Sequence, residues 1–204
     1  MMQHFNQTDF NQWSRIYRAN FINSLSGFKS VSLIGTSNKQ GQSNLAIFSN
    51  IIHLGADPAL IGFINRPLEA APHTIANIES TGIYTINHIQ ECFYKKAHQT
   101  SAKYPSEISE FDTTGLTPLW RPSISSPFVA ESVIQYALQL VEIIPIKLNR
   151  TFLVIGTITD AFVSKEWIED DGFIDLEQAN SITSLGLDGY YNAQKIDRLP
   201  YAKP

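Results

Sequence analysis

Apolar residues in FNQWSRIYRANFINSL, residues 10–25, fall at Phe10, Trp13, Tyr17, Phe21 and Leu25, spacings of three and four that predict an amphipathic helix stopped by Gly27. Beyond residue 30 the period shortens to two. SVSLIGT, ALIGFIN and GIYTINHI alternate or run apolar with many β-branched residues, and each predicts a strand. Between the last two, HTIANIESTG predicts a short helix, capped by Thr74, turning Ile75 and Ile78 to the core and closed by Gly82. IQECFYKKAHQTSA predicts another, with Ile89, Phe93 and Ala97 on one stripe and Pro105 forbidding continuation. Residues 104–130, rich in Pro, Ser and Thr, predict a long ordered excursion across the surface. Strands return at VIQYALQLVEII and TFLVIGTITDAFV, followed by a short helix at LEQANSITSLG and a tail.

This order is mainly β with short helices. The gaps between strands are mostly too short for parallel crossovers, so an antiparallel barrel with helical additions is favoured over a doubly wound sheet. With 204 residues and no linker or repeat, the expectation is a single domain spanning residues 1–204, with an N-terminal helical region at about 8–27 and a C-terminal tail at about 186–204.

Composition narrows the partners. A net charge of -4 gives no electrostatic grip on nucleic acid or an anionic membrane, which leaves small molecules or proteins. No apolar run reaches the roughly 18 residues of a membrane span, and the first residues lack the pattern of a secretory signal. The single cysteine, Cys92, has no internal disulfide partner and fits a reducing compartment. The cytoplasm is the expected location.

Much catalytic chemistry is absent. The histidines at 4, 53, 73, 88 and 98 form no metal-binding pair, no GxSxG elbow occurs, and neither common nucleotide loop is present. The acids Glu169, Asp170 and Asp171 read as a solvated turn. An enzyme built from this chain needs a cofactor to carry its chemistry.

The stretch GTSNKQGQSNLAIFSN, residues 35–50, holds more hydroxyls, amides and glycines than a hairpin requires. Small side chains at Thr36, Ser37, Ser43, Asn44 and Ala46 permit close backbone approach to the polar edge of a flat heterocycle. A phosphate on the same ligand wants a fixed cation and helix-start N–H groups, which Arg66 and Thr74 offer, with Lys29 a weaker alternative. Flavin mononucleotide has this shape. The plainer reading stands beside it: a solvated loop, a helix cap at Thr74 and a surface ion pair at Arg66.

A resemblance adds to this. GTSNKQGQSNLAIFSN, DPALIGFINRP, HTIANIESTGIYTIN, SEFDTTGL, SPFVAES and LVIGTITD follow one another as in the flavin reductase-like family, over about residue 15 to the C-terminus. The chain departs from the family at Ile47 and Ala59, where prolines are usual. The resemblance implies an antiparallel split β-barrel of the FMN-binding type and a homodimer with FMN near the interface. It further implies that Thr36, Ser37, Asn44, Leu45 and Ala46 meet the ring edge, that Ser49 and Asn50 lie near the ribityl–phosphate tail, and that Arg66 and Thr74 hold the phosphate. His73, His98 and Tyr104 are possible flavin or nicotinamide contacts and equally possible structural residues.

The implied activity is that of an NAD(P)H-dependent flavin oxidoreductase. NADH or NADPH stacks on the ring and passes hydride to N5, a step that needs proximity rather than a strong acid or base. Electrons then leave to free flavin, oxygen or a partner oxygenase. The alternatives are an FMN-binding electron carrier or sensor without appreciable turnover, and a flavin-free barrel using the same edge as a protein interface.

Overall fold

The computed structural model describes residues 1–203. Two helices, α1 (Gln7–Gln12) and α2 (Arg15–Leu25), precede β1 (Lys29–Ser30), β2 (Ser32–Ser37), β3 (Ser43–Phe48), β4 (Ile51–Ala56) and β5 (Ala59–Asn65). Then come α3 (His73–Thr81), β6 (Ile83–His88), α4 (Tyr94–Gln99), α5 (Glu110–Thr114), β7 (Pro118–Arg121) and β8 (Ile124–Val129). The long hairpin β9 (Ile134–Ile146) and β10 (Thr151–Val163), a 3-10 turn at Lys165–Trp167, and β11 (Ile182–Leu185) and β12 (Gly189–Asn192) follow.

Seven strands form one antiparallel sheet in the order β3-β2-β6-β9-β10-β5-β4. Laid flat, its two edges would stand about 29 Å apart at the usual strand spacing of about 4.8 Å. Yet edge strands β3 and β4 are joined only by Ser49 and Asn50, and three Cα steps reach at most about 11 Å. The sheet therefore curls until its edges nearly meet at that corner, which makes it a split barrel. The Asn50 side chain secures the corner by accepting from the Ile64 N–H of β5 at 3.2 Å.

The barrel interior is packed by Ile34, Phe48, Phe63, Tyr84, Leu138 and Val154, with Ile75 and Ile78 of α3 closing one end. Phe48, Phe63 and Tyr84 stack edge to face at 4.9 and 5.7 Å. Half of the outer surface is covered. The β7–β8 hairpin lies over β2 and β6, bound by Thr85 Oγ1 to the Pro127 carbonyl at 2.6 Å, the Val129 N–H to Asn87 Oδ1 at 3.0 Å, and Ser126 Oγ to the Ile83 carbonyl at 2.7 Å. Leu33, Leu45, Phe93, Phe111 and Val129 join in a second apolar cluster beneath α4 and α5. The other outer half, over β10, β5 and β4, has no such cover.

Several expected elements change. The helix over residues 10–25 breaks at Trp13, because Ser14 caps a new helix by accepting from the Tyr17 N–H, while Asn6 and Asp9 form a capping box on α1. The aromatic stripe packs on itself, with Phe5, Phe10, Trp13, Tyr17 and Phe21 rings 4.8–6.5 Å apart, and neither helix buries a residue. Thr74 is not a cap. The helix begins at His73 behind Pro72, and Thr74 lies buried within the first turn. The expected helix over 89–102 shrinks to α4, because Ile89 is drawn into the core and Gln90 bridges Ser181.

Residues 104–130 are not a surface excursion, since Phe111, Phe128 and Val129 are core residues. The helix expected at 176–186 is β11. Asp175 Oδ1 accepts from the Glu177 and Gln178 N–H groups at 3.1 Å to start a helical turn. The chain then reverses at Asn180, with φ of 50°, and Ile182–Leu185 pair with β1 and β12. The acid run is not merely solvated. Arg198 bridges Asp171 at 2.6 Å and Lys195 reaches the buried Asp175 at 2.6 Å, so the tail is pinned back. No helix is long and apolar enough to cross a membrane among the described residues.

His88 ends β6 with its Nδ1 3.2 Å from Ser181 Oγ, and burial pushes its imidazole down to about 4. The unfolded chain then binds a proton near pH 6.5 that the folded chain refuses. The stabilisation is complete above about pH 6.5 and is lost as pH falls towards 4. Urea midpoints are expected to fall across that window, and His88→Gln is expected to flatten the slope. An unchanged slope in the variant assigns the acid sensitivity elsewhere.

Candidate functional site

The stretch from Gly35 to Asn50 is the β2–β3 hairpin plus the barrel corner. Its turn uses its own amides: Asn38 Oδ1 accepts from the Gln40 and Gln42 N–H groups at 3.0 Å, and Gly41 takes a φ of 80°. The polar density at residues 38–42 is therefore an internally satisfied turn.

Strand alternation divides the candidates between two faces. Thr36, Asn44 and Ala46 face α3, because Thr36 pairs with Asn44 and Ala46 pairs with Ile34 of the barrel interior. Two cross-links bind this face to the helix: Asn77 Nδ2 donates to Thr36 Oγ1 at 3.1 Å, and Asn44 Nδ2 donates to Thr74 Oγ1 at 3.3 Å. Ser37 and Leu45 face the other way. Ser37 Oγ donates to the Ser125 carbonyl of β8, and the Leu45 side chain lies in the second apolar cluster.

The Leu45 N–H points off the free edge of β3 and is taken at 2.9 Å by Glu110 Oε2. Burial raises the carboxyl of Glu110, and the Leu45 N–H opposes that rise. Ser43 Oγ lies 2.9 Å from Ser109 Oγ beside it. Thr36, Ser37 and Leu45 are thus buried supports of the hairpin, at 0, 2 and 0% exposure. Ala46, Ser49 and Asn50 are only partly covered.

Arg66 is exposed at the end of β5, and its side chain makes no hydrogen bond or ion pair among the described residues. The wholly buried Asn65 fixes its place, because Asn65 Nδ2 donates both to the Arg66 carbonyl at 2.8 Å and to the Ala71 carbonyl at 3.1 Å. That pair of bonds folds residues 66–71 back, bringing Arg66 beside the start of α3. The start is uncapped: Pro72 supplies no side-chain acceptor, and the N–H groups of His73, Thr74 and Ile75 have no intrahelical partner. With the Arg66 backbone held near Ala71, a guanidinium reaching towards the free helix-start N–H groups would complete a donor set suited to a phosphate. It fits the phosphorylated end of FMN.

Two cavities lie elsewhere. One, of about 560 Å³, is lined by Gln90, Cys92, Glu131, Val133 and Trp167, and a neighbouring one, of about 370 Å³, by Glu177, Ser181, Asn192 and Gln194. They adjoin the opposite end of β6 from α3, and none of the nine candidate residues lines either. His98 is bonded to the Tyr190 hydroxyl at 2.7 Å and Tyr104 to Gln99 at 3.0 Å.

Three residues escaped the sequence reading. Asn77 stands in the string HTIANIESTG and was the one open to inspection, since an amide on the same helix as Thr74 is placed to bond the hairpin. Asn65 and Glu110 carry no local signal. Their partners are decided by chain folding six and 65 residues away.

Residues 25–176 match the family described as "Flavin reductase like domain". A crystal structure from Shewanella frigidimarina NCIMB 400, named as a candidate flavin reductase with split barrel domain, is 48% identical, with a TM-score of 0.95 over 98% of this chain and all of that one. Nitrilotriacetate monooxygenase component B from Bacillus cereus is 22% identical, with a TM-score of 0.85 over 98% of this chain and 99% of that one, a likeness of fold. An uncharacterised protein of Aquifex aeolicus is 26% identical over 115 residues, and the match covers 55% of this chain and 59% of that relative's length.

Proposed function

The chain belongs to the flavin reductase-like family, and from that premise we propose that it is a homodimeric, FMN-binding oxidoreductase drawing hydride from NADH or NADPH. The observation that carries the cofactor assignment is Arg66 held by Asn65 beside the uncapped start of α3. FMN, when bound, supplies a two-electron acceptor that passes reducing equivalents to free flavin, oxygen or a partner oxygenase; the Bacillus cereus fold neighbour is itself a monooxygenase component.

The chain's own residues bind and orient. Arg66 and the N–H groups of His73 and Thr74 take the phosphate. Ser49 and Asn50, at the corner where the barrel edges meet, border the ribityl tail. Asn44 and Ala46, with the hairpin backbone, border the ring edge, while Thr36, Ser37 and Leu45 hold that hairpin rigid from beneath. Hydride transfer needs proximity and orientation rather than a strong general acid or base from the chain.

The test is direct. The protein as purified, or mixed with FMN, is expected to show flavin absorbance, and the released pigment to have the mass of FMN. With acceptor present, one of NADH and NADPH is expected to be oxidised. A colourless protein that leaves added FMN fluorescence unquenched removes the reading. Bound FMN without oxidation of either donor replaces it with an electron carrier.

A further inference from the structure

Beyond the end of β6 the chain encloses a hollow that the flavin reading leaves unused. Ile89 is drawn into the core and Gln90 bridges Ser181, while Glu131 and Val133 come from the loop joining β8 to β9. Trp167 comes from the 3-10 turn after β10, and Ala179 and Asn180 from the reversal before β11. Together they border the cavity of about 560 Å³, a volume within the range of small-molecule sites. The cavity of about 370 Å³ shares Asn180 with it, so the two adjoin.

Acceptors dominate the polar wall. Glu91 and Glu131 line the larger cavity, and no lysine, arginine or histidine lines either cavity among the described residues. Both acids are held by neutral donors. Glu131 accepts from the Thr117 N–H and Oγ1 at 3.1 Å, and Glu91 from Asn192 Nδ2 at 3.0 Å. Their charges are thereby positioned without being neutralised. Gln90 adds a separate observation. It is only 5% exposed, yet its side chain makes just two bonds, Oε1 accepting from the Val133 N–H at 3.4 Å and Nε2 donating to Ser181 Oγ at 3.5 Å. Both lie at the long limit, and a carboxamide oxygen has two lone pairs, so Oε1 keeps one for a ligand. Trp167, Val133 and Ala179 supply the apolar wall. Such a lining repels an anion. It also gives a metal ion no cage, since no three acids, histidines or cysteines gather closely enough among the described residues.

We propose that this cavity is a second small-molecule site, distinct from the flavin corner, which takes a primary ammonium ion carried on a flat apolar body. Glu131 and Glu91 hold the charge, Gln90 Oε1 accepts one of the ammonium N–H groups, and the Trp167 indole packs against the body and attracts the cation through its π face. The neutral form of the same molecule leaves the carboxylates unpaired, so charge and apolar body are both required. The site does not depend on the cofactor assignment, because none of the nine candidate flavin contacts lines the cavity.

Calorimetric titration of the full chain with 2-phenylethylamine, against the near-isosteric alcohol 2-phenylethanol, tests this. The amine is expected to bind in the sub-millimolar range and the alcohol at least tenfold more weakly. Glu131→Gln and Glu91→Gln keep an acceptor for Thr117 and Asn192, so each variant is expected to melt as the wild type and to bind the amine at least tenfold more weakly. Location has its own readout. Cys92 is the single cysteine, is exposed and lines the cavity, so saturating amine is expected to slow its alkylation by iodoacetamide at least fivefold. No binding of the amine, equal binding of amine and alcohol, or unchanged affinity in both variants overturns the site, as does binding that leaves Cys92 equally reactive. The alcohol and Cys92 comparisons use the wild type alone and decide even where a variant is unstable. Failure of the cofactor reading shows separately, as absent flavin binding.

Discussion

Replacing Gly35 by valine is expected to destabilise the fold by about 3 kcal/mol, the upper range for forced overpacking. Gly35 lies in β2 directly beneath the β7–β8 hairpin. A Cβ at this position would stand 2.2 Å from the Pro127 carbonyl oxygen and 2.7 Å from Thr85 Oγ1. Neither neighbour yields easily. Pro127 O is backbone and already accepts from Thr85 Oγ1 at 2.6 Å, so the hairpin must lift and surrender that bond. At about 2–4 °C per kcal/mol for a chain of this size, the melting temperature is expected to fall by about 6–12 °C. Calorimetry reads this directly. A loss under 2 °C would mean that the hairpin floats over the sheet rather than being clamped to it.

Replacing Arg66 by alanine is expected to weaken FMN binding by a factor of about 10–150, from the roughly 1.5–3 kcal/mol of a charge-assisted phosphate contact. The guanidinium is exposed and makes no bond within the chain, so its loss leaves packing intact and the melting temperature of the apoprotein unchanged. Arg66→Lys is expected to recover part of the affinity, because charge survives while the planar fork does not. Titration of FMN by fluorescence quenching decides. Affinity unchanged in the alanine variant removes Arg66 from the site, and an equal loss of riboflavin binding would show that the side chain holds the ring system instead of the phosphate.

The architecture was legible where it depends on periodicity. The alternation in SVSLIGT, ALIGFIN and TFLVIGTITDAFV gave strands within one or two residues, and Gly82 ended α3 in the left-handed conformation the sequence required of it. Failures occurred where tertiary contact overrode local preference. LEQANSITSLG has helical spacing, but Ile182 and Ser184 are worth more in a sheet whose other strands come from residue 29 and from residues 189–192. Residues 104–130 looked polar because their apolar side chains are scattered among Pro, Ser and Thr, yet Phe111, Leu116, Phe128 and Val129 among them are buried. The site divides in the same way. Arg66 and Thr74 stood out by residue type, whereas Asn65, which brings the first to the second, was invisible because its role is set by a loop closing back on it.

The far end of the chain is held differently from everything before it. Glu169, Asp171 and Asp175 on one side, and Lys195 and Arg198 on the other, meet as ionic contacts at a half-exposed surface, with Arg198 also lying 4.1 Å over the Phe173 ring. Salt screens exposed charges over a Debye length of about 8 Å at physiological ionic strength, so pairs as close as 2.6–3.7 Å lose only part of their attraction to it. Residues 193–203 are therefore fastened partly by the medium, a clasp that dilute buffer tightens and brine loosens at Arg198 more than at Lys195, whose partner Asp175 is buried.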